Sequence, residues 1–197
     1  VTTTRPATLH DLPGVYRVCL ETGDSGRDAT ALYRNPDLLG HVYVGPYVVG
    51  QPELAFVAAD ADGVAGYCLA AEDTRAFEEW EDEHWWPSLR DQYPLTPGST
   101  PDDEIIRMLH TRPSHPDRVV AAYPSHMHID LLERVRGQGL GRILVQRVLD
   151  ELAKRGSAGL HLGVGLDNSN ARTFYRHLGF IELESNEQEL FMGVRLA

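Results

Sequence analysis

Apolar positions along this chain follow two periods. Over Leu12, Val15, Tyr16 and Cys19 they recur every three or four residues, which predicts a helix from residue 10 through about 21, with Asp11 and Pro13 suited to its first turn. Residues 2–7 read as a strand before it, and residues 37 to about 49 keep a helical pattern interrupted by glycines. Residues 54–59 and 64–71 flank Asp60-Ala61-Asp62-Gly63, the signal of a hairpin. Residues 74–92 and 102–109 predict helices, separated by Pro94, Pro97 and Pro101. Residues 119–132 predict a long central strand, 159–166 a second, and 180–184 with 188–196 a closing hairpin. Between these strands, Leu140, Ile143, Leu144, Val148 and Leu152 outline a half-buried helix, widened by Val145 and Leu149. Ala171, Phe174, Tyr175 and Leu178 do the same for residues 169–178. The succession is a mixed α/β sheet with helices on both faces.

The junction between the central strand and its helix carries the chemistry. Arg136-Gly137-Gln138-Gly139-Leu140-Gly141-Arg142 places alternating glycines after an apolar run and before a helix that Lys154, Arg155 and a Gly156 cap would close. Without Cβ atoms the backbone N–H groups can converge on an anion, and the unpaired amides of the first helical turn add donors and a favourable dipole. A phosphate-bearing cofactor is the first hypothesis. The P-loop pattern is missing, because Arg142 follows the last glycine where Lys and Ser or Thr are needed. A dinucleotide fold would place its glycines after an early strand, whereas these lie late in the chain.

Arg136-x-x-Gly139-x-Gly141 resembles the acetyl-coenzyme A signature of the GNAT superfamily of N-acetyltransferases. Asn168-Ser169-Asn170-Ala171-Arg172-Thr173-Phe174-Tyr175-Arg176-His177-Leu178-Gly179-Phe180 resembles the second cofactor motif of that family, with an Asn seven residues before a Tyr and a Leu-Gly-Phe ending. The two motifs cover about residues 119–182. Tyr123-Pro124-Ser125-His126-Met127-His128-Ile129-Asp130 and Gly156-Ser157-Ala158-Gly159 further resemble the acetyltransferase-like domain of O-GlcNAcase and its stand-alone bacterial relatives.

The resemblance implies a mostly antiparallel sheet splayed at the central strand, acetyl-CoA as co-substrate, and direct attack by an amine in a ternary complex. It assigns the pyrophosphate to amides from Arg136, Gly137, Gln138, Gly139, Leu140, Gly141 and Arg142, and the pantetheine arm to the backbone of Ile129, Asp130 and Leu131. Tyr175 becomes the proton donor to the departing thiolate, with packing on its helix as the plainer alternative. Asn168 becomes a cofactor contact or an N-cap. Many relatives place a glutamate base on the central strand or the next one; here those strands offer Ser125, His126, His128, Asp130 and His161. Strict alternation puts His126, His128 and Asp130 on one face, unless a bulge redistributes them. Asp130 is the first candidate for base or amine-orienting group and His128 the second, beside a water relay without a dedicated base or a purely structural polar network. A His-x-His-x-Asp row also suggests a metal site, but no fourth ligand or Cys partner accompanies it in the sequence, so no metal is expected. Neither Cys19 nor Cys68 lies near the motifs, so no cysteine carries the acyl group.

Composition narrows the partners. A net charge of −11 argues against a nucleic-acid partner, and no apolar run approaches the roughly 20 residues that cross a bilayer, so neither a nucleic-acid nor a membrane partner is expected. The acidic runs around Glu72, Glu78 to Glu83 and Asp102 to Glu104 read as solvated faces, or as a lip that attracts a cationic acceptor. The two cysteines read as reduced thiols, and the start lacks a signal-peptide core, which leads to the expectation of a cytoplasmic protein. The chain of 197 residues suits one domain carrying a helical insertion over about 73–112. Phe77, Trp80, Trp85, Trp86 and Tyr93 in that insertion would form a satellite core, an aromatic wall for the acceptor, or a homodimer contact. The acceptor is expected to be a small-molecule or peptide amine. A non-catalytic CoA-binding or protein-interaction module of the same fold is the rival reading, and a longer acyl donor a third.

Overall fold

The computed structural model describes residues 1–111 and 115–196, so residue 112 of the expected insertion lies outside the described residues. The order is β1 (Thr3–Pro6), α1 (Leu12–Thr22), α2 (Leu38–Tyr43), α3 (Gly45–Gly50), β2 (Ala55–Asp60), β3 (Gly63–Ala71), α4 (Thr74–Trp80) and α5 (Trp86–Gln92). It continues with α6 (Pro101–Thr111), α7 (Asp117–Ala122), β4 (Ser125–Leu131), α8 (Leu140–Lys154), β5 (Gly159–Gly165), α9 (Ser169–His177), β6 (Ile181–Ser185) and β7 (Glu189–Arg195). The strands form a 7-stranded sheet in the order β1-β2-β3-β4-β5-β7-β6. Neighbours are antiparallel except β4 and β5, which run parallel and pair only at Ser125↔Leu160 and His126↔His161. β4 continues to Leu131 against β3, and β5 to Gly165 against β7, without pairing further with each other. This is the expected splay: two facing edges whose backbone groups are left for something else to satisfy.

Helices cover both faces. α1 to α6 pack on the face bearing Val57, Tyr67, Leu69 and Ala71, while α8 and α9 pack on the face bearing Phe56, Cys68, Met127 and Leu160. On α8, Leu140, Leu144, Val145, Val148 and Leu152 are buried, but Ile143 falls outside the stripe and is 46% exposed. Ser157 N–H reaches back to Leu152 O at 3.0 Å and closes α8 beyond Gly156 as expected. Among the described residues no helix is long and apolar enough to cross a membrane.

Four expectations are corrected. The strand expected over 119–132 is a helix followed by a shorter strand. Val119 and Val120 look strand-like, but Pro116 is extended (φ −60°, ψ 131°) and starts α7, with Asp117 in the first turn. The helical pattern over 37–49 is two helices. Val44 (φ −138°, ψ −39°) interrupts it, and Pro46 suits the first turn of α3. The aromatic residues between β3 and β4 form no satellite core. Phe77 and Trp86 are buried in the same cluster as α1 and β3, with Trp80, Trp85 and Tyr93 packed against it. The acidic run beside them is not uniformly solvated either, since Glu78 and Glu81 are buried and Arg75 bridges Glu78 (2.7 Å) to Asp117 (2.5 Å).

Candidate active site

β4 sorts its side chains by alternation, and the β3–β4 ladder runs from Gly66↔Leu131 to Ala71↔His126 without a register shift. His126, His128 and Asp130 therefore share one face, as expected, and no bulge redistributes them. Met127, Ile129 and Leu131 turn toward α8 and α9. The register sets Tyr67 beside Asp130, and the Tyr67 hydroxyl donates to Asp130 Oδ2 at 2.6 Å. Burial pushes the Asp130 carboxyl up to about 6, against the opposing pull of bonds from Tyr67 and Thr22 and the charge of Arg136. Two residues along, His128 Nε2 lies 3.0 Å from the Tyr47 hydroxyl, and that hydroxyl lies 2.7 Å from His126 Nε2. Burial and neighbouring histidines hold His126 well below the usual imidazole range, and His128 drops to about 4 for the same reasons.

At the other end, Gly137 (φ 72°) and Gly139 (φ 76°) adopt the left-handed conformation that L side chains resist. A Cβ on either would meet nothing within 4 Å, so this backbone faces open space. Gly141 serves a different purpose: its Cβ would crowd Phe174 (3.1 Å) and Leu131 (3.2 Å). The first helical bond of α8 runs from Ile143 N to Gly139 O, which leaves the Leu140, Gly141 and Arg142 amides without an intrahelical partner. The donors, the dipole and the open space suit a diphosphate.

A single cavity of about 760 Å³ joins the two ends through the β4–β5 splay. Glycine-loop and α9 residues, including Gly139, Arg142, Asn168 and Tyr175, line one part, while Cys19, Thr22, Tyr43, Tyr67, His128 and Asp130 line the other. Ile129, Leu131, Arg136, Gly137, Leu140 and Gly141 also border it. Gln138 does not; its amide donates to Arg134 O at 3.0 Å. The Arg136 guanidinium is occupied structurally, donating to Leu131 O (2.8 Å) and Gly26 O (2.7 Å). Asn168 caps α9 by accepting from Ala171 N at 3.1 Å, while still bordering the cavity. Tyr175 is buried on the α8–α9 side, and burial together with the Asp130 charge raises its phenol above the usual range.

Some sequence candidates sit elsewhere. His161 donates to Tyr123 O (2.7 Å) and meets His115 (2.8 Å) in a buried network, and Ser125 donates to Glu72 O (2.5 Å). Both His126 nitrogens are engaged, by Tyr47 and by Thr74 (2.8 Å), and among the described residues no side chains are grouped to hold a metal ion. Cys19 is nearer the site than the motifs implied. It borders the cavity, but burial pushes its thiol up to about 12, so it stays protonated and a poor nucleophile. Tyr43, Tyr47 and Tyr67 escaped sequence reasoning because α2, α3 and β3 carry no local motif, and only the tertiary register brings them to β4.

Residues 43–180 match the family model described as Acetyltransferase (GNAT) family. The chain belongs to this acetyltransferase family. The protein O-GlcNAcase of Rattus norvegicus is 27% identical over 191 residues, covering 95% of this chain and 21% of that protein. The chain thus spans about a fifth of the length of that curated relative. The ribosomal protein bS18-alanine N-acetyltransferase of Escherichia coli (strain K12) is 51% identical over 45 residues, 23% of this chain and 30% of that enzyme. The crystal structure of SsHAT superposes with a TM-score of 0.91 at 37% identity, covering 100% of this chain and 98% of that one. A GNAT-fold structure from Salmonella typhimurium, yncA with its cofactor acetyl-CoA, shares the fold at a TM-score of 0.59 and 16% identity over 100% of this chain and 95% of that one.

Proposed function

We propose that this GNAT domain, one unit with its helical insertion, is an acetyl-CoA-dependent N-acetyltransferase that moves an acetyl group to a primary amine in a ternary complex. The observation that carries the reading is the continuous cavity through the β4–β5 splay, with unpaired helix amides and left-handed glycines at one end and the half-buried Asp130 carboxyl at the other. The thioester supplies an activated acyl group. The amides from Arg136 to Arg142 hold the diphosphate, with the Arg142 side chain adding charge at the exposed rim. The free edge of β4 at Ile129, Asp130 and Leu131 pairs with an extended amide-bearing arm, as an added strand would. Asp130, steadied by Tyr67, receives and orients the acceptor's amine. Tyr175 protonates the departing sulfur. Its high affinity for its own proton keeps it in the acid form at neutral pH.

Calorimetric titration with acetyl-CoA tests the first half, and absence of heat at high concentration rejects it. Thiol release across a library of amines tests the second. Binding without acetylation of any amine would make the domain a CoA-binding module. Tyr175→Phe is expected to lower kcat by about 10²-fold or more, the usual yield of a positioned acid, with acetyl-CoA affinity nearly unchanged. Equal kcat for variant and wild type rejects the proton-donor role.

A further inference from the structure

Amide formation releases a proton from the acceptor nitrogen, and a hydrogen-bond chain behind β4 points to where it goes. Pro124 O is a carbonyl and can only accept. It takes bonds from Thr74 N at 2.8 Å and from Thr74 Oγ1 at 2.7 Å. The Thr74 hydroxyl proton is thereby spent, so the 2.8 Å contact to His126 Nδ1 requires that nitrogen to carry the hydrogen. His126 is buried and neutral, which leaves its Nε2 as an acceptor. Tyr47 must then donate its hydroxyl proton to His126 Nε2 at 2.7 Å. With that proton committed, the Tyr47 oxygen accepts at 3.0 Å from His128 Nε2, which must carry a hydrogen. One carbonyl thus dictates the tautomer of an imidazole four groups away. His128 Nδ1 is left bare, with no hydrogen-bond partner among the described residues, on a ring that borders the cavity. Tyr43 and Tyr47 pack edge-on against the ring at centroid distances of 5.9 and 5.1 Å and fix its plane.

Resting on the acetyltransferase reading, we infer that His128 Nδ1 is the proton acceptor of the reaction and that Tyr47, His126 and Thr74 are positioning residues that hold it in the competent tautomer. As the acceptor nitrogen bonds to the acyl carbon and the carbon–sulfur bond breaks, one nitrogen proton passes to His128 Nδ1, while Tyr175 supplies the proton that the thiolate takes. Solvent then restores both residues. Asp130, one step along the same face, keeps the amine in line rather than taking its proton.

Two measurements test this. Ring-nitrogen NMR of the histidine-labelled full chain, without cofactor, should show His128 protonated at Nε2 and bare at Nδ1 near neutral pH, and Tyr47→Phe should relax that preference. The opposite tautomer in the wild type overturns the assignment. In turnover, His128→Gln should lower kcat by about 10²–10⁴-fold, the range for a lost general base, with acetyl-CoA binding retained. Tyr47→Phe should lower kcat with little change in the amine's KM, a split that loss of packing alone would not produce. Unchanged kcat in either variant overturns the inference while leaving the acetyltransferase reading intact. A wild type that acetylates no amine overturns both.

Discussion

Asp130 is a carboxyl whose charge depends on the ambient pH more than that of an ordinary surface aspartate, because burial raises it to about 6. The acceptor-side kcat/KM is therefore expected to fall as the pH drops through about 6 and the carboxylate is lost, readable from initial rates across pH 5 to 8. Tyr67 favours the ionised form by donating to it at 2.6 Å. A hydrogen bond to a charged acceptor contributes about 1.5–3 kcal/mol, so Tyr67→Phe should move that acid limb upward by about 1–2 pH units. An unmoved limb would mean that Asp130 does not set it. The neighbouring Asn168 shows how one residue can satisfy two readings: its side chain caps α9 and borders the cavity, so Asn168→Ala loses a cap whatever else it touches.

The glycine turn between β4 and α8 shows what an element can reveal of its purpose. Alternating glycines before an amphipathic helix were legible because each needs a local property, a positive φ at Gly137 and Gly139 and a missing side chain at Gly141. Gly139→Asp places a carboxylate where the amides should meet phosphate. It is expected to abolish acetyl-CoA binding by calorimetry, while the left-handed strain lowers stability by about 1–2 kcal/mol. Retained binding would place the diphosphate elsewhere. The alternation of His126, His128 and Asp130 was legible for the same local reason. What stayed hidden depends on partners distant in sequence. Val119 and Val120 favour a strand by type, yet the chain spends them on a short helix between Pro116 and Pro124. The tyrosines of α2, α3 and β3 look like any core aromatics until the register sets them against β4.

Across the whole molecule, four histidines share one acid-sensitive behaviour. His126 and His161 are buried, and with His115 and His128 they lose proton affinity chiefly to burial, helped by neighbouring histidines at His115, His126 and His128 and by the Arg75 charge at His161; His115 drops to about 3 and His128 and His161 to about 4. Between the ordinary imidazole pKa of 6.5 and these lowered ones, the unfolded chain takes up protons that the folded chain refuses. Stability is therefore complete above about pH 6.5 and lost as the pH falls toward 4, by about 1.4 kcal/mol per pH unit for each such proton. Asp130 runs in the other direction, because its raised pKa lets the folded chain protonate first, and it offsets part of one histidine's loss. Scanning calorimetry should find Tm falling steadily from pH 6.5 to 4.5. A flat Tm over that interval would mean these rings titrate normally when folded.

The packing of the helices between β3 and β4 restricts how this scaffold can be altered. Ile105 of α6 borders the cavity, and the same side chain is buried with Phe77, Trp86 and Leu38 in the core. Cavity wall and core thus draw on the same atoms, and an engineer could not graft a foreign loop here as on a detachable lid. Widening the substrate range would take compensating substitutions in α1 and α2 at the same time, so natural variants in this region should change together or not at all.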